Sequence, residues 1–431
     1  MNRKILALAI PNIISNITVP LLGMVDLAIV GRLGDDALIG GIAVGGTIFN
    51  FLYWNFSFLR MGTSGFTAQA YGARKFREAS KVLVRALSVA VVVALAIWAL
   101  QLPVVRVAMG VMDGSAAVES AASRYFLVRI WAAPATLSLY AFTGWFIGMQ
   151  NARIPMWISI VINAVNIVFS LLAVWVWGMG IQGVALGTVI AQWSGVLMAV
   201  LIVKKYYGRF FSRDTFRRSE ILSWSVMRRF FKVNSDIFLR TVCLVAVFTY
   251  FTVASTKMGD TLLAVNTLML QLFTLFSYMM DGFAYAGEAL AGRYYGAGNR
   301  QLLHKAVRGL LLWGAGVMLL FTVVYAAAGQ QILGIFTPSP AILAAAKDYT
   351  VWAVLVPVCS FLAFILDGIV VGITATWIMR NAMFIATLFF FGVYFVLEPQ
   401  LGNAGLWIAF LTYLFIRGAV QLGLSKRRIL G

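Results

Sequence analysis

Twelve long apolar stretches run along the chain, separated by short polar or charged segments. They fall at 5–30, 37–59, 86–105, 125–149, 155–177 and 184–203, then at 237–256, 261–283, 307–328, 349–372, 382–397 and 406–420. About 20 apolar residues let a helix cross the hydrocarbon core of a bilayer, so the pattern predicts twelve transmembrane helices. Arg3 and Lys4 before an apolar run imitate a secretion signal. That run reaches Arg32 without a small-residue cleavage site, so it is read as the first span. The expected fold class is an all-α polytopic membrane protein.

Composition agrees. Of 431 residues 61% are hydrophobic, a further 39 are glycine, and only 11% are charged. Soluble domains carry about 25% charged residues, so soluble and disordered classes are excluded. The net charge is +19, from 34 basic and 15 acidic residues. The basic residues interrupt apolar runs in clusters and build no exposed basic face, so no nucleic-acid partner is expected. Twenty-five of them lie at the termini and in one alternating set of loops, while the opposite set holds few, among them Arg32, Arg106, Lys257 and Lys347. The positive-inside rule then places both termini and the basic loops in the cytoplasm of a multi-pass cytoplasmic (inner) membrane protein. The loop Lys204 to Lys232 carries nine basic residues and suits contact with anionic membrane lipid. Cys243, Cys359 and His304 are too few for a zinc set or a disulfide framework, so no metal is expected.

The halves resemble each other at an offset of about 224. Leu33-Gly34-Asp35 answers Met258-Gly259-Asp260, and Tyr71-Gly72-Ala73 answers Tyr295-Gly296-Ala297. Gly148 answers Gly372, and Gly180-Ile181-Gln182-Gly183 answers Gly402-Asn403-Ala404-Gly405. Six spans per half make the repeats parallel, as in alternating-access transporters. The predicted division is an N-terminal six-helix lobe over 1–205, a basic linker over 206–232 and a C-terminal six-helix lobe over 233–431.

These features, together with several motifs, resemble the multidrug and toxic compound extrusion (MATE) family, and within it the branch named after DNA-damage-inducible protein F. The motifs in the first half are Met24-Val25-Asp26 through Val30-Gly31-Arg32-Leu33-Gly34, Phe58-Leu59-Arg60-Met61-Gly62-Thr63, and Gly144-Trp145-Phe146-Ile147-Gly148-Met149-Gln150-Asn151-Ala152-Arg153. In the second half they are Asp236-Ile237-Phe238-Leu239-Arg240-Thr241, Asp281-Gly282-Phe283-Ala284, Glu288-Ala289-Leu290 and Leu366-Asp367-Gly368. The resemblance implies a V-shaped pair of bundles and a secondary exporter of cationic amphipathic compounds, driven by protons or sodium. Similar members carry an acid on span five, four residues after an asparagine. Asn166 matches the asparagine here, but Ser170 stands at the acid's position.

Ionisable groups inside spans are costly and mark ion or substrate paths. Asp26 is the acid well inside a first-half span, in a segment that also holds Pro11, Asn12, Asn16 and Pro20. It is the candidate proton-coupling residue. Each proline removes a backbone hydrogen bond and lets the helix bend. Asn12 and Asn16 share one helical face, and Asn163 and Asn166 another. With Ser170 they suit a polar cavity around Asp26, though singly each amide could be interhelical glue. In the second half Asp281 and Glu288 lie seven apart, with Asp367 on span ten and Arg240 able to neutralise an acid. A structural ion-pair network and a coupling site both fit that set.

The expected activity is cation-coupled antiport, with protons favoured because span seven beyond Asp236 carries no acid up to Met258. No enzyme activity and no cofactor are expected, and the chain has no Walker motif for ATP. Sodium coupling is one alternative. A flippase for a lipid-linked precursor is another; it would use intramembrane cations such as Arg60, Arg129, Arg240 and Arg417 to hold pyrophosphate. A monomer is expected.

Overall fold

The computed structural model describes residues 1–112, 115–212, 215, 217, 221 and 223–429. Residues 213, 214, 216, 218–220 and 222 of the expected linker lie outside that set. Among the described residues twelve helical spans are long and apolar enough to cross a membrane. They are Asn2–Gly31 (span one), Asp36–Gly72 (two), Phe76–Ala99 (three), Ala116–Gly148 (four), Arg153–Val176 (five) and Gly180–Phe210 (six). The second six are Trp224–Lys257 (seven), Asp260–Gly296 (eight), Arg300–Phe336 (nine), Thr350–Gly372 (ten), Thr376–Leu401 (eleven) and Asn403–Lys426 (twelve).

Several helices begin well before their apolar stretch. Span three starts ten residues earlier than hydropathy indicates, and its charged first turns stay helical because Glu78 pairs with Lys81 at 3.8 Å and Arg85 at 3.1 Å. Such charges end a hydropathy stretch without ending a helix. Two short helices, Gln101–Met112 and Pro340–Lys347, were not anticipated. Span four is interrupted by a 3-10 turn, Ile130–Ala132, ahead of Pro134. The Ile130 and Trp131 carbonyls there accept from the indoles of Trp98 at 3.0 Å and Trp193 at 3.2 Å.

The chain forms two compact units. One is Ile14–Phe230; the other joins Met1–Ile13 to Phe231–Gly431. The first thirteen residues therefore group with the second-half helices, whereas the sequence reading assigned them to the first lobe. Their contacts explain it. Lys4 Nζ donates to Tyr294 Oη at 3.4 Å, and Gly282 and Gly309 leave room for Ile13 and Ile5. In the Ile14–Phe230 unit, the start of the linker folds onto span three, where Ser80 Oγ donates to the Phe210 carbonyl at 2.9 Å and Arg85 Nε to the Ile221 carbonyl at 3.0 Å.

The repeat is visible in the backbone. Residues of positive φ recur in pairs: Gly34 with Gly259, Arg74 with Gly298, and Gln150 with Thr374. At Arg74 and Gly298 the helix closes identically. Lys75 N donates to the Ala70 carbonyl at 2.9 Å and Asn299 N to that of Tyr294 at 3.0 Å, the bond of a Schellman turn. The helix crossings repeat too. A Cβ at Gly144 would collide with the Arg60 carbonyl, and one at Gly368 with the Ala284 carbonyl. Close crossing of spans two and four, and of eight and ten, needs glycine at those points.

Candidate functional site

Span five presents Ser159, Asn163, Asn166 and Ser170 at intervals of four, three and four, which places all four on one helical face. This face meets span one. Thr18 Oγ1 and Ser159 Oγ are 3.2 Å apart, and Asn163 Nδ2 donates to the Thr18 carbonyl at 3.1 Å. Pro20 lies two residues beyond, inside a helix that runs unbroken from Asn2 to Gly31. Lacking an N–H, it leaves the carbonyl four residues earlier without its helical donor.

Asp26 is 6% exposed, and Asn166 beside it is fully buried. The Asn166 amide is satisfied in one orientation, with its nitrogen toward Asp26 and its oxygen toward Thr188 on span six. Nδ2 donates to Asp26 Oδ1 at 3.1 Å, and Oδ1 accepts from Thr188 Oγ1 at 2.9 Å, which suits an ionised carboxylate. Thr188 was missed in the sequence; a threonine within an apolar run gives no sign of its partner.

The other expected members of this cluster fare differently. Asn163 binds the Thr18 backbone, not the carboxyl. Asn12 donates to the Leu8 carbonyl at 2.8 Å within its own helix and belongs to the unit with the second-half spans. Asn16 is half-buried. Ser170 is fully buried, and its Oγ has no hydrogen-bond partner.

In the second-half unit the hub is Asp367. Its Oδ2 accepts from Arg240 at 2.7 Å and also from Arg417; its Oδ1 accepts from Gln421 at 2.6 Å. Arg240 therefore neutralises Asp367, one of the three acids that the sequence left open to it. Glu288 is buried and Asp281 half-buried on span eight. Arg417 and Gln421, four apart on span twelve, were missed as partners; two polar groups one turn apart in an apolar run were the available signal. Asp236 is held separately by Arg380 at 2.6 Å and Thr376 at 3.0 Å. Among the described residues no group of three or more His, Cys, Asp or Glu side chains could hold a metal ion.

Comparisons with known proteins agree with this architecture. The family model described as MatE matches twice, at residues 11–172 and 237–396, once in each half of the repeat. The chain is 38% identical over 422 residues to DNA damage-inducible protein F of Escherichia coli strain K12, covering 97% of this chain and 91% of that protein. Its fold superposes on a crystal structure of a MATE protein in the bent conformation with a TM-score of 0.89, at 19% identity, covering 99% of this chain and 95% of that one. It superposes on the MATE transporter VcmN of Vibrio cholerae, also in a bent form, with a TM-score of 0.88, at 16% identity over all of this chain and 97% of that one. The chain belongs to the multidrug and toxic compound extrusion (MATE) family and is a secondary transporter, not an enzyme.

Proposed function

We propose that this transporter exports cationic amphipathic organic compounds in exchange for protons, with Asp26 as the coupling acid. The observation that carries the reading is the buried pairing of Asp26 with the Asn166 amide. Ionised Asp26 offers a charge to an organic cation and accepts from Asn166 Nδ2. A proton arriving from outside removes that charge, and the substrate loses its partner. The prolines at 11 and 20 leave span one able to bend with the change. Differential affinity of proton and substrate for the two forms is then the coupling.

Protons are preferred to sodium because Asp367, the second-half acid best placed for a cation, already serves two guanidiniums and an amide. A sodium ion would have to displace a built-in positive charge. The same pairing argues against a lipid-precursor flippase, since Arg240 and Arg417 are committed to a carboxylate and not offered to pyrophosphate. Both termini are placed in the cytoplasm, as the basic loops imply. The test is uptake of a fluorescent monocationic dye into inside-out vesicles, with pH and sodium gradients imposed separately. Uptake should follow the pH gradient and persist without sodium. Uptake driven by sodium at equal pH would reverse the reading.

A further inference from the structure

Building on the proposed role of Asp26, we propose that Arg129 is a fixed internal cation that restricts the Asp26 site to substrates with a single positive charge. Arg129 is the last residue of the helix Ala116–Arg129, immediately before the 3-10 turn that interrupts span four. Its placement inside a span demands compensation, which aromatic groups supply. Nη1 donates to Tyr125 Oη at 2.7 Å. Cζ lies 4.8 Å from the ring centroid of Phe49 and 5.4 Å from that of Tyr125. Phe49 is itself stacked on Phe126 at 4.9 Å and on Tyr53 at 5.5 Å, so the rings that hold the guanidinium are fixed by packing. Cation–π contact of this kind stabilises a desolvated guanidinium without neutralising it.

Arg129 therefore keeps its charge without a bonded counter-ion. The rings that seat it pack in one cluster with Val25, Ile29 and Val30, on either side of Asp26, yet the two charges make no ion pair: Asp26 is partnered by Asn166 and Arg129 by Tyr125. The aromatic seat keeps the guanidinium from closing onto the carboxylate, which leaves the acid free for a substrate or a proton. It also sets a limit. The first positive charge of a substrate is matched by Asp26. A second charge entering the same poorly hydrated region meets Arg129, which cannot lose its proton. Like charges repel strongly where the effective dielectric is low.

The test uses purified full-length protein in proteoliposomes under an imposed pH gradient. The probes are two flat biaryl cations of similar size, N-methyl-phenylpyridinium with one charge and methyl viologen with two. The wild type should move the monocation faster than the dication by on the order of tenfold. Arg129→Gln should raise dication transport and bring the two rates together. Arg129→Lys, which keeps the charge, should preserve the wild-type ratio, a result that loss of packing would not produce. A wild-type ratio near one overturns the inference, as does an unchanged ratio in Arg129→Gln or a closed gap in Arg129→Lys. If Arg129→Gln does not fold, the wild-type and lysine results decide. Absence of pH-driven monocation transport in the wild type would instead overturn the reading of Asp26, and this inference with it.

Discussion

Arg240 on span seven donates to Asp367 Oδ2 on span ten at 2.7 Å. Arg417 shares that oxygen and Gln421 takes the other, so one carboxylate ties spans seven, ten and twelve together. Its removal leaves two guanidiniums without their counter-ion. Breaking a buried pair from one side costs about 3–5 kcal/mol, so Asp367→Asn should lower the melting temperature in detergent clearly. An unchanged melting temperature would show that the three bonds contribute little.

Two asparagines one turn apart on span five should behave differently. Asn163 bonds the Thr18 backbone, and Asn166 is the amide that faces Asp26. Asn163→Ala removes one interhelical bond, worth about 0.6–1.7 kcal/mol, and should reduce stability while sparing transport. Asn166→Ala should reduce pH-driven dye transport by on the order of tenfold. Equal losses of transport in both variants would mean that the helix contact, not the amide at the carboxyl, is what matters.

Ser170 occupies the position where similar transporters carry an acid, and its buried hydroxyl has no partner. Removing an unsatisfied buried hydroxyl is close to neutral for stability. Ser170→Ala should therefore keep both fold and transport rate near wild type. A large loss of transport would give the hydroxyl a place in the proton path.

The number of spans and the repeat were legible because each leaves a one-dimensional mark. Apolar stretches count helices, and paired turns such as Leu33-Gly34-Asp35 and Met258-Gly259-Asp260 mark equivalent ends. Gly34 and Gly259 both have positive φ, which is why glycine recurs there. Partner choice was not legible. Hydropathy reports that Asn12, Asn163 and Asn166 are unusual in an apolar helix, but not which neighbour each faces. Asn12 turns back on its own helix, Asn163 finds a backbone carbonyl, and Asn166 alone reaches the acid. Spacing left Asp281, Glu288 and Asp367 open as partners of Arg240; helix packing brings Asp367 to it. The break in span four was hidden for another reason. Its 3-10 turn is as apolar as the helices beside it, and Pro134, at the start of the next helix, was its one trace.

The central claim, that Asp26 couples protons to export, is tested most directly by measuring pH-driven dye transport in Asp26→Asn. Asparagine mimics the protonated side chain and cannot ionise. The variant should fold, with a melting temperature close to wild type, and should not transport. Asp26→Glu, which still titrates, should retain part of the activity. Export by Asp26→Asn at the wild-type rate under the same pH gradient would contradict the account.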